Sequence, residues 1–321
     1  MGADVTETDI QMNILLCTDN IYAMPTGVLM HSISDHDKGV RYYVFVDDAF
    51  SVENRQRLTD IANHYGDEIT FYTISQKQTA NMPVKREDQP VYITKSAYNR
   101  LFAASMLPMD VDKIIYLDGD IVVRKSLRPL WDTDIEKYAV GVVHDMGEME
   151  HIQSERLPYD MKDGYFNSGV LLINVKYWRE HNCMTLFNDI TERYQEILTL
   201  HDQDVLNIAF HDKKKWLPVT YNMQNGFLYK SRDRWDVPMI KEELDVMKHD
   251  PVIVHFSTWD KPWKLECFHP YCKDWRKYFF RSVWSNDRLT DEEEHPSLIR
   301  KFRNWLVKHC LYVPATLYQN V

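Results

Sequence analysis

The chain has 321 residues, of which 44% are hydrophobic and 13% aromatic, and its formal net charge is −10 at pH 7. This composition excludes a disordered chain, and the acidic balance argues against general nucleic-acid binding, so we expect no nucleic-acid partner. No apolar run approaches the roughly 20 residues of a transmembrane helix, and Met1–Gln11 lacks the basic and apolar parts of a signal peptide, so we expect a cytoplasmic protein.

Short apolar segments alternate with segments of helical periodicity along the chain. The predicted strands are Asn13–Cys17, Tyr42–Val46, Ile69–Ile74, Lys113–Leu117, Ala139–Val143, Gly169–Val175 and Val252–Phe256. The predicted helices are Ser51–Tyr65, Ser96–Met106, Met184–Leu198 and Gln203–Phe210. Because most of these strands are almost continuously apolar, helices should cover both faces of a largely parallel sheet. Such α/β sheets bind ligands beyond the carboxyl ends of their strands.

Polar side chains follow the first predicted strand. Asp19 could accept hydrogen bonds from a nucleobase or ribose, and Tyr22 could stack on the base. The alternative is that Asp19 is a loop or helix-cap residue and that Tyr22 lies at the rim. Farther along, Arg100 lies on a helical stretch, where it could bridge a sugar nucleotide to an acidic centre or pair with a helix neighbour at the surface.

The strand Lys113–Leu117 runs directly into Asp118, Gly119 and Asp120. Because Gly119 has no Cβ, the turn can bring both carboxylates near one point, as a hard divalent cation such as Mn²⁺ or Mg²⁺ requires. Such a cation would be useful beside a diphosphate. Taken alone, the triplet is equally typical of a surface turn.

Two polar segments lie in the middle of the chain. Gly164–Gly169 is predicted to form a turn before a buried strand, where the amide of Asn167 could both donate to and accept from a sugar, although a plain hairpin has the same pattern. His201–Asp204 begins an amphipathic helix. There Asp202 and Gln203 could read sugar hydroxyls or flank an anomeric carbon, and the alternative for Asp202 is a helix N-cap.

The last predicted strand runs into His255. A histidine at a strand end can give a metal its third protein ligand, and Lys261 in the following loop can bind a phosphate oxygen as a point charge. The alternative for His255 is an ordinary core or rim histidine. The sequence therefore supplies acids, an imidazole and a cation at strand ends.

A basic, aromatic tail follows the acidic run Asp291–Glu294. Its apolar residues share one helical face, and these are Leu298, Ile299, Phe302, Trp305, Leu306 and His309. Its basic residues lie largely around the other face, and these are Arg300, Lys301, Arg303 and Lys308. This pattern is typical of an interfacial amphipathic helix, so residues 297–309 could make weak peripheral contact with the inner face of the cell membrane. The alternative is that the apolar face packs on the protein itself.

The order of these segments resembles that of glycosyltransferase family 8, especially the bacterial lipopolysaccharide or lipooligosaccharide galactosyl- and glucosyltransferases, over Met12 to Trp263. The resemblance implies that Asp118, Asp120 and His255 bind manganese. It assigns uridine to Asp19, Tyr22 and the backbone of Cys17, and the diphosphate to Thr258 and Lys261. It assigns the donor sugar to Arg100, Asp145, Asn167, Asp202 and Gln203. The chain departs from the family at Asn20, where relatives often carry aspartate, and at Thr258, where many carry glycine.

The sequence thus predicts an α/β, GT-A-like catalytic domain over residues 12–275, with a mostly parallel mixed sheet, and a helical tail over residues 276–321. The predicted function is retaining, metal-dependent transfer of galactose or glucose from a UDP-sugar to an oligosaccharide or lipid-linked glycan. Mn²⁺ is the expected cofactor, with Mg²⁺ as a substitute. Gln203 and Asp202 would act at the sugar, and Gly119 would approach the nucleotide. The alternatives are a metal-dependent nucleotide-sugar hydrolase or pyrophosphorylase, and a catalytically silent sugar-binding module.

Overall fold

The computed structural model describes residues 11–79, 95–145, 155–228, 246–292 and 297–312, together with positions 82, 243 and 295. The strands are β1 (Met12–Thr18), β2 (Val40–Val46), β3 (Glu68–Thr73), β4 (Lys113–Leu117), β5 (Ile121–Val123), β6 (Val140–His144), β7 (Phe166–Asn174), β8 (Lys214–Trp216), β9 (Met223–Gln224) and β10 (Ile253–His255). The α-helices are α1 (Ala23–His36), α2 (Val52–Tyr65), α3 (Ala103–Met106), α4 (Arg128–Trp131), α5 (Val175–Glu180), α6 (Cys183–Tyr194), α7 (Asp202–Phe210), α8 (Cys272–Phe279) and α9 (Leu298–Lys308).

Seven strands form the central sheet in the order β3-β2-β1-β4-β7-β6-β8. Only β7 runs antiparallel to the others within this sheet. The prediction of a mostly parallel, mixed sheet is therefore confirmed, and each predicted strand overlaps a strand of the structure. A second sheet has the strand order β5-β10-β9. Its strand β5 directly follows the Asp118–Asp120 turn in the chain, and its strand β10 ends at His255.

The inner strands β1, β2, β4, β6 and β7 are buried on both faces of the sheet, since their successive side chains point to opposite sides and nearly all of them are buried. On β4, Ile115 and Leu117 join the core formed with α1, α2 and α8, whereas Ile114 and Tyr116 join the core formed with α5, α6 and α7. Helices thus cover both faces of the sheet. Polar side chains therefore become accessible where the strands end, and ligands of such sheets bind at the carboxyl ends of the strands. The candidate site is expected at this edge of the sheet.

The structure corrects three local predictions. Gly164–Gly169 is not a turn throughout, because β7 already begins at Phe166 and carries Asn167 as a strand residue. The predicted helix Ser96–Met106 is a 3₁₀-helix over Lys95–Phe102 and becomes α-helical only at Ala103. Helix α1 was not predicted, and it precedes the second strand.

After the acidic run Asp291–Glu294, the described residues form one helix, α9, which packs through Asn304 and Val307. Its other face is open, with Leu298, Ile299, Phe302 and Trp305 exposed by 82, 85, 63 and 49%. The alternative that this apolar face packs on the protein is therefore wrong for these four residues. None of the described helices is long and apolar enough to cross a bilayer. Helix α8 spans the predicted division at residues 275 and 276, which stays a prediction.

Candidate active site

A cavity of about 240 Å³ opens at the edge of the sheet where β1 and β4 end. Eleven of the fourteen residues predicted from the sequence line it: Cys17, Tyr22, Arg100, Asp118, Gly119, Asp120, Asn167, Asp202, Gln203, His255 and Lys261. The other three, Asp19, Asp145 and Thr258, are absent from the lining of this cavity. The strand ends therefore bring most of the predicted residues together, although they come from segments more than 200 positions apart along the chain.

Two carboxylates and one imidazole converge on one side of the cavity. Asp118 and Asp120 follow β4, and the antiparallel pairing of β10 with β5 sets His255 opposite Ile121, directly beside Asp120. One ligand atom from each of the three residues lies within 4.8 Å of the others. The Nε2 atom of His255 is 3.3 Å from Oδ1 of Asp120 and 3.8 Å from Oδ2 of Asp118. Oxygen and imidazole ligands of this kind suit Mn²⁺ or Mg²⁺.

A chain of amides fixes the orientation of His255, and it includes a residue that the sequence reading missed, Asn222. The backbone N–H of Gly169 donates to Oδ1 of Asn167 at 2.9 Å, and Nδ2 of Asn222 donates to the same oxygen at 2.9 Å. The Oδ1 atom of Asn222 is thereby left to accept from Nδ1 of His255, also at 2.9 Å. With its proton on Nδ1, the imidazole presents the lone pair of Nε2 to the two carboxylates.

This arrangement fits a bound cation. A lone pair and two carboxylates that face one another repel unless a positive charge lies between them. The absence of a side chain at Gly169 leaves space for the two ligands. A Cβ at this position would lie 2.3 Å from Cε1 of His255 and 2.8 Å from Oδ2 of Asp118. Glycine at position 169 therefore keeps the two ligands in place.

Lys261 forms an ion pair with Asp120. Its Nζ atom donates to Oδ2 of Asp120 at 2.5 Å and to the backbone oxygen of Phe256 at 2.6 Å. Burial alone would raise the pKa of Asp120, but the ammonium group of Lys261 opposes this effect, and the pKa of Asp120 lies below its ordinary range. Asp120 is consequently ionised at neutral pH, as a metal ligand must be.

Arg100 joins the acidic centre to the opposite wall of the cavity. Its guanidinium contacts Oδ1 of Asp118 and Oδ2 of Asp202, each at 3.0 Å, and lies 4.3 Å from the ring centre of Tyr116. Arg100 is only 4% exposed, so the alternative of a surface arginine is wrong. Asp202 is the first residue of α7 and not its N-cap, so that alternative is wrong too. Burial raises the pKa of Asp202 to about 6, although Arg100 opposes the shift.

Gln203 is held at both ends of its amide. Its Oε1 accepts from the backbone N–H of Ser168 at 2.9 Å, and its Nε2 donates to Oδ2 of Asp145 at 2.8 Å and to the hydroxyl of Tyr165 at 3.1 Å. Asp145 also accepts from Nδ2 of Asn167 at 3.2 Å. Asp145 therefore acts through Gln203 and Asn167, and the amide of Gln203 faces the cavity in one fixed orientation.

The polar groups after β1 hold the loop as well as line the cavity. Oδ1 of Asp19 accepts from the backbone N–H groups of Ile21 and Tyr22, both at 2.9 Å, so Asp19 holds the loop before α1 and does not cap that helix, whose N-cap is Tyr22. The Tyr22 ring lies edge-on to Trp263 at 5.6 Å. The side chain of Asn20 is hydrogen-bonded to the segment from Ala49 to Asn54. Its Nδ2 donates to the backbone oxygen of Ala49, and its Oδ1 accepts from the backbone N–H of Ser51 and from Nδ2 of Asn54.

Thr258 lies outside the cavity, in the loop between His255 and Lys261. Its hydroxyl oxygen is buried and has no hydrogen-bond partner among the residues that the structure describes. A buried hydroxyl of this kind is available to a ligand or a water molecule. Its assignment to the diphosphate stays a prediction.

Comparison with known proteins decides the family. The model of glycosyl transferase family 8 matches residues 13–267. The chain belongs to glycosyltransferase family 8. It is 30% identical to general stress protein A of Bacillus subtilis, over 85% of this chain and 95% of that protein. It is 27% identical to a lipopolysaccharide 1,3-galactosyltransferase of Salmonella typhimurium, over 87% of this chain and 81% of the relative.

A solved glycosyltransferase structure has the same fold. The galactosyltransferase LgtC, crystallised with donor and acceptor sugar analogs, superposes with a TM-score of 0.77 and 26% identity, covering 85% of this chain and 99% of LgtC. The predicted GT-A-like fold is therefore confirmed, as is the resemblance to the lipopolysaccharide galactosyl- and glucosyltransferases. The individual site residues stay predictions, supported by the geometry described above.

Proposed function

We propose that this family 8 glycosyltransferase moves galactose or glucose from a UDP-sugar to a saccharide hydroxyl, with retention of configuration and with Mn²⁺ or Mg²⁺ as cofactor. The observation that carries the proposal is the convergence of Asp118, Asp120 and His255 beside Lys261, in one cavity with Asp202 and Gln203. The names of the relatives point to lipopolysaccharide or another surface glycan as the product.

Departure of UDP is the step that the acidic side of the cavity would assist. Asp118, Asp120 and His255 would hold the cation, which neutralises negative charge on the diphosphate as the sugar leaves. Lys261, now bound to Asp120, can turn its ammonium group to a phosphate oxygen once a cation takes over that carboxylate. Tyr22 and the backbone of Cys17 would contact the uridine.

The opposite wall would act on the sugar. The oxygen of the Gln203 amide can face positive charge that develops at the anomeric carbon, and Ser168 and Asp145 keep it from rotating. Asp202 is tied to Arg100, which makes it a positioning carboxylate for the donor hydroxyls. Two routes to retention fit these residues: a short-lived bond to Gln203 or Asp202, and attack from the same face with the leaving phosphate as base.

An assay of UDP release tests the proposal. The enzyme is incubated with Mn²⁺ and either UDP-galactose or UDP-glucose, with and without saccharide acceptors. Release that depends on an acceptor supports transfer. Equal release without acceptor would instead indicate a nucleotide-sugar hydrolase, and tight donor binding without release would indicate a silent sugar-binding module.

We also propose weak peripheral contact with the inner face of the cell membrane through residues 297–309. The exposed apolar side chains of Ile299 and Phe302 support it, as does the basic Lys301 between them. The variant Ile299→Ser/Phe302→Ser should lose flotation with anionic vesicles, whereas Met109→Ser, which removes another exposed apolar side chain, should not. Equal flotation of both variants and the parent protein would refute the contact.

A further inference from the structure

A second cavity, of about 370 Å³, lies between the loop after His255 and helix α9. We call it the tail cavity, and the residues that matter for it are Trp259, Lys264, Glu266, Arg300, Arg303 and Asn304. Its volume is within the range of small-molecule sites, roughly 300–1,000 Å³. None of the site residues predicted from the sequence lines it.

Asn304 is the first indication that the tail cavity binds something. Its side chain lines the cavity and is only 5% exposed. Across the parts of the chain that the structure describes, no hydrogen bond to its amide is present. The side chain lies against the cavity wall, so its amide can be reached from the cavity. The amide is therefore available to a polar group that enters the cavity.

The other walls have the chemistry of a sugar site. Trp259 exposes 51% of its surface, and Nζ of Lys264 lies 5.7 Å from its ring centre. Arg303 and Glu266 form an ion pair at the rim. A pyranose can pack its C–H face on an indole while its hydroxyls bond to an amide, a carboxylate and a guanidinium. Both charge signs are present, so the cavity does not select a simple anion.

The tail cavity shares a wall with the active-site cavity. Ser257 and Lys261 line the active-site cavity, and Trp259, between them in the chain, lines the tail cavity. Residues two apart have Cα atoms separated by at most about 7.6 Å, so one loop divides the two spaces. An oligosaccharide is long enough to cross such a loop.

We infer that the tail cavity binds sugar residues of the acceptor glycan that lie beyond the residue receiving the hexose. This inference rests on the proposed transfer to a saccharide. It implies that the enzyme prefers an oligosaccharide to a monosaccharide acceptor, and that Trp259 and Asn304 determine this preference.

Binding can be tested without turnover. The probe is delipidated lipopolysaccharide core oligosaccharide, titrated into the full chain in chelator while the indole N–H signal of Trp259, assigned with Trp259→Phe, is followed by NMR. We expect the signal to shift and Asn304→Ala to weaken binding at least tenfold. The control Lys301→Ala, on the same helix but outside the cavity lining, should bind as the parent does. Galactose alone should bind more weakly than the oligosaccharide.

The inference is overturned if the oligosaccharide leaves the Trp259 signal unchanged, or if Asn304→Ala binds it equally well. It is also overturned if glycerol phosphate or phosphatidylglycerol vesicles shift the signal and the oligosaccharide does not, since the cavity would then hold a lipid headgroup. Because Asn304 makes no side-chain hydrogen bond to the described residues, its substitution should leave the fold intact, which thermal melting checks. Failure of UDP release would refute the proposed function while leaving this binding result to be read separately.

Discussion

Asn222→Ala should weaken metal binding although Asn222 is not a metal ligand. The substitution removes the oxygen that accepts from Nδ1 of His255 and the amide that donates to Asn167. The imidazole can then carry its proton on Nε2, where it donates to Asp120 in place of binding a cation. Asn167 keeps its second partner, the backbone N–H of Gly169, so the strand should stay in place.

The size of the effect follows from these contacts. Loss of a group that orients a metal-binding histidine typically costs 10- to 100-fold in metal affinity, which corresponds to about 1.4–2.7 kcal/mol. The two lost hydrogen bonds should also destabilise the fold by about 1–3 kcal/mol. The second effect alone would not change metal affinity, so the two must be separated.

Asn174→Ala is the matched control. Asn174 lies at the end of β7 that is opposite to Asn167. Its side-chain amide donates to the backbone oxygens of Ile135 and Tyr138 and accepts from the backbone N–H of Tyr177. Both variants should lower the melting temperature, but only Asn222→Ala should raise the Kd of Mn²⁺, measured by electron paramagnetic resonance in the presence of UDP. A folded Asn222→Ala protein that binds Mn²⁺ within twofold of the parent would refute the proposed orientation of His255.

Three further predictions concern the site and the core. Gln203→Ala should lower kcat more than it raises the KM for the donor, because its role is at the reacting sugar; steady-state kinetics with an unchanged kcat would contradict this. Gly169→Ala should reduce Mn²⁺ affinity at least tenfold, because the added Cβ would displace His255, while Gly141→Ala, which meets only leucine side chains at 3.3 Å, should bind Mn²⁺ normally in the same titration. Burial lowers the pKa of His269 to about 3, so the unfolded chain takes up a proton below pH 6.5 that the folded chain does not, and stability is lost as pH falls. Between pH 7 and 5, the free energy of unfolding measured in urea should fall by about 2 kcal/mol more for the parent than for His269→Gln. An equal pH dependence of the two free energies would refute this role of His269.

The sequence predicted the strand ends well because two signals coincide there. A strand such as Lys113–Leu117 must be apolar while it is covered on both faces, and its polar continuation, Asp118 and Asp120, marks where it leaves the core. In an α/β sheet the carboxyl ends of parallel strands lie at the same edge, so residues that follow different strands are expected to meet there. His255 was found in the same way, from a short apolar strand that ends in a titratable residue.

The sequence did not predict helix α1, for a physical reason. Eleven of its fourteen residues are buried, so it lacks the polar face that produces helical periodicity. Gly27 and Pro25 within it also weaken any prediction from helix propensity. Gly27 is needed because a Cβ there would lie 2.4 Å from the ring of Trp284, a contact between residues far apart in the chain.

Asn222 was missed for a different reason. It lies between a 3₁₀ turn and the two-residue strand β9, a segment too short for any periodic signal. Its importance comes from contacts with Asn167 and His255, which are 55 and 33 positions away in the chain. A single asparagine carries no pattern from which such contacts could be read.

Calorimetric titration of the enzyme with UDP-hexose, with Mn²⁺ or with excess chelator, measures directly whether the donor binds through a cation. We expect binding to be lost or weakened at least tenfold in chelator, because Asp118, Asp120 and His255 would reach the diphosphate through the cation. Asp120→Asn should show the same weak binding even with Mn²⁺, while remaining folded. Donor binding of equal strength in chelator, or in the folded Asp120→Asn variant, would contradict the account.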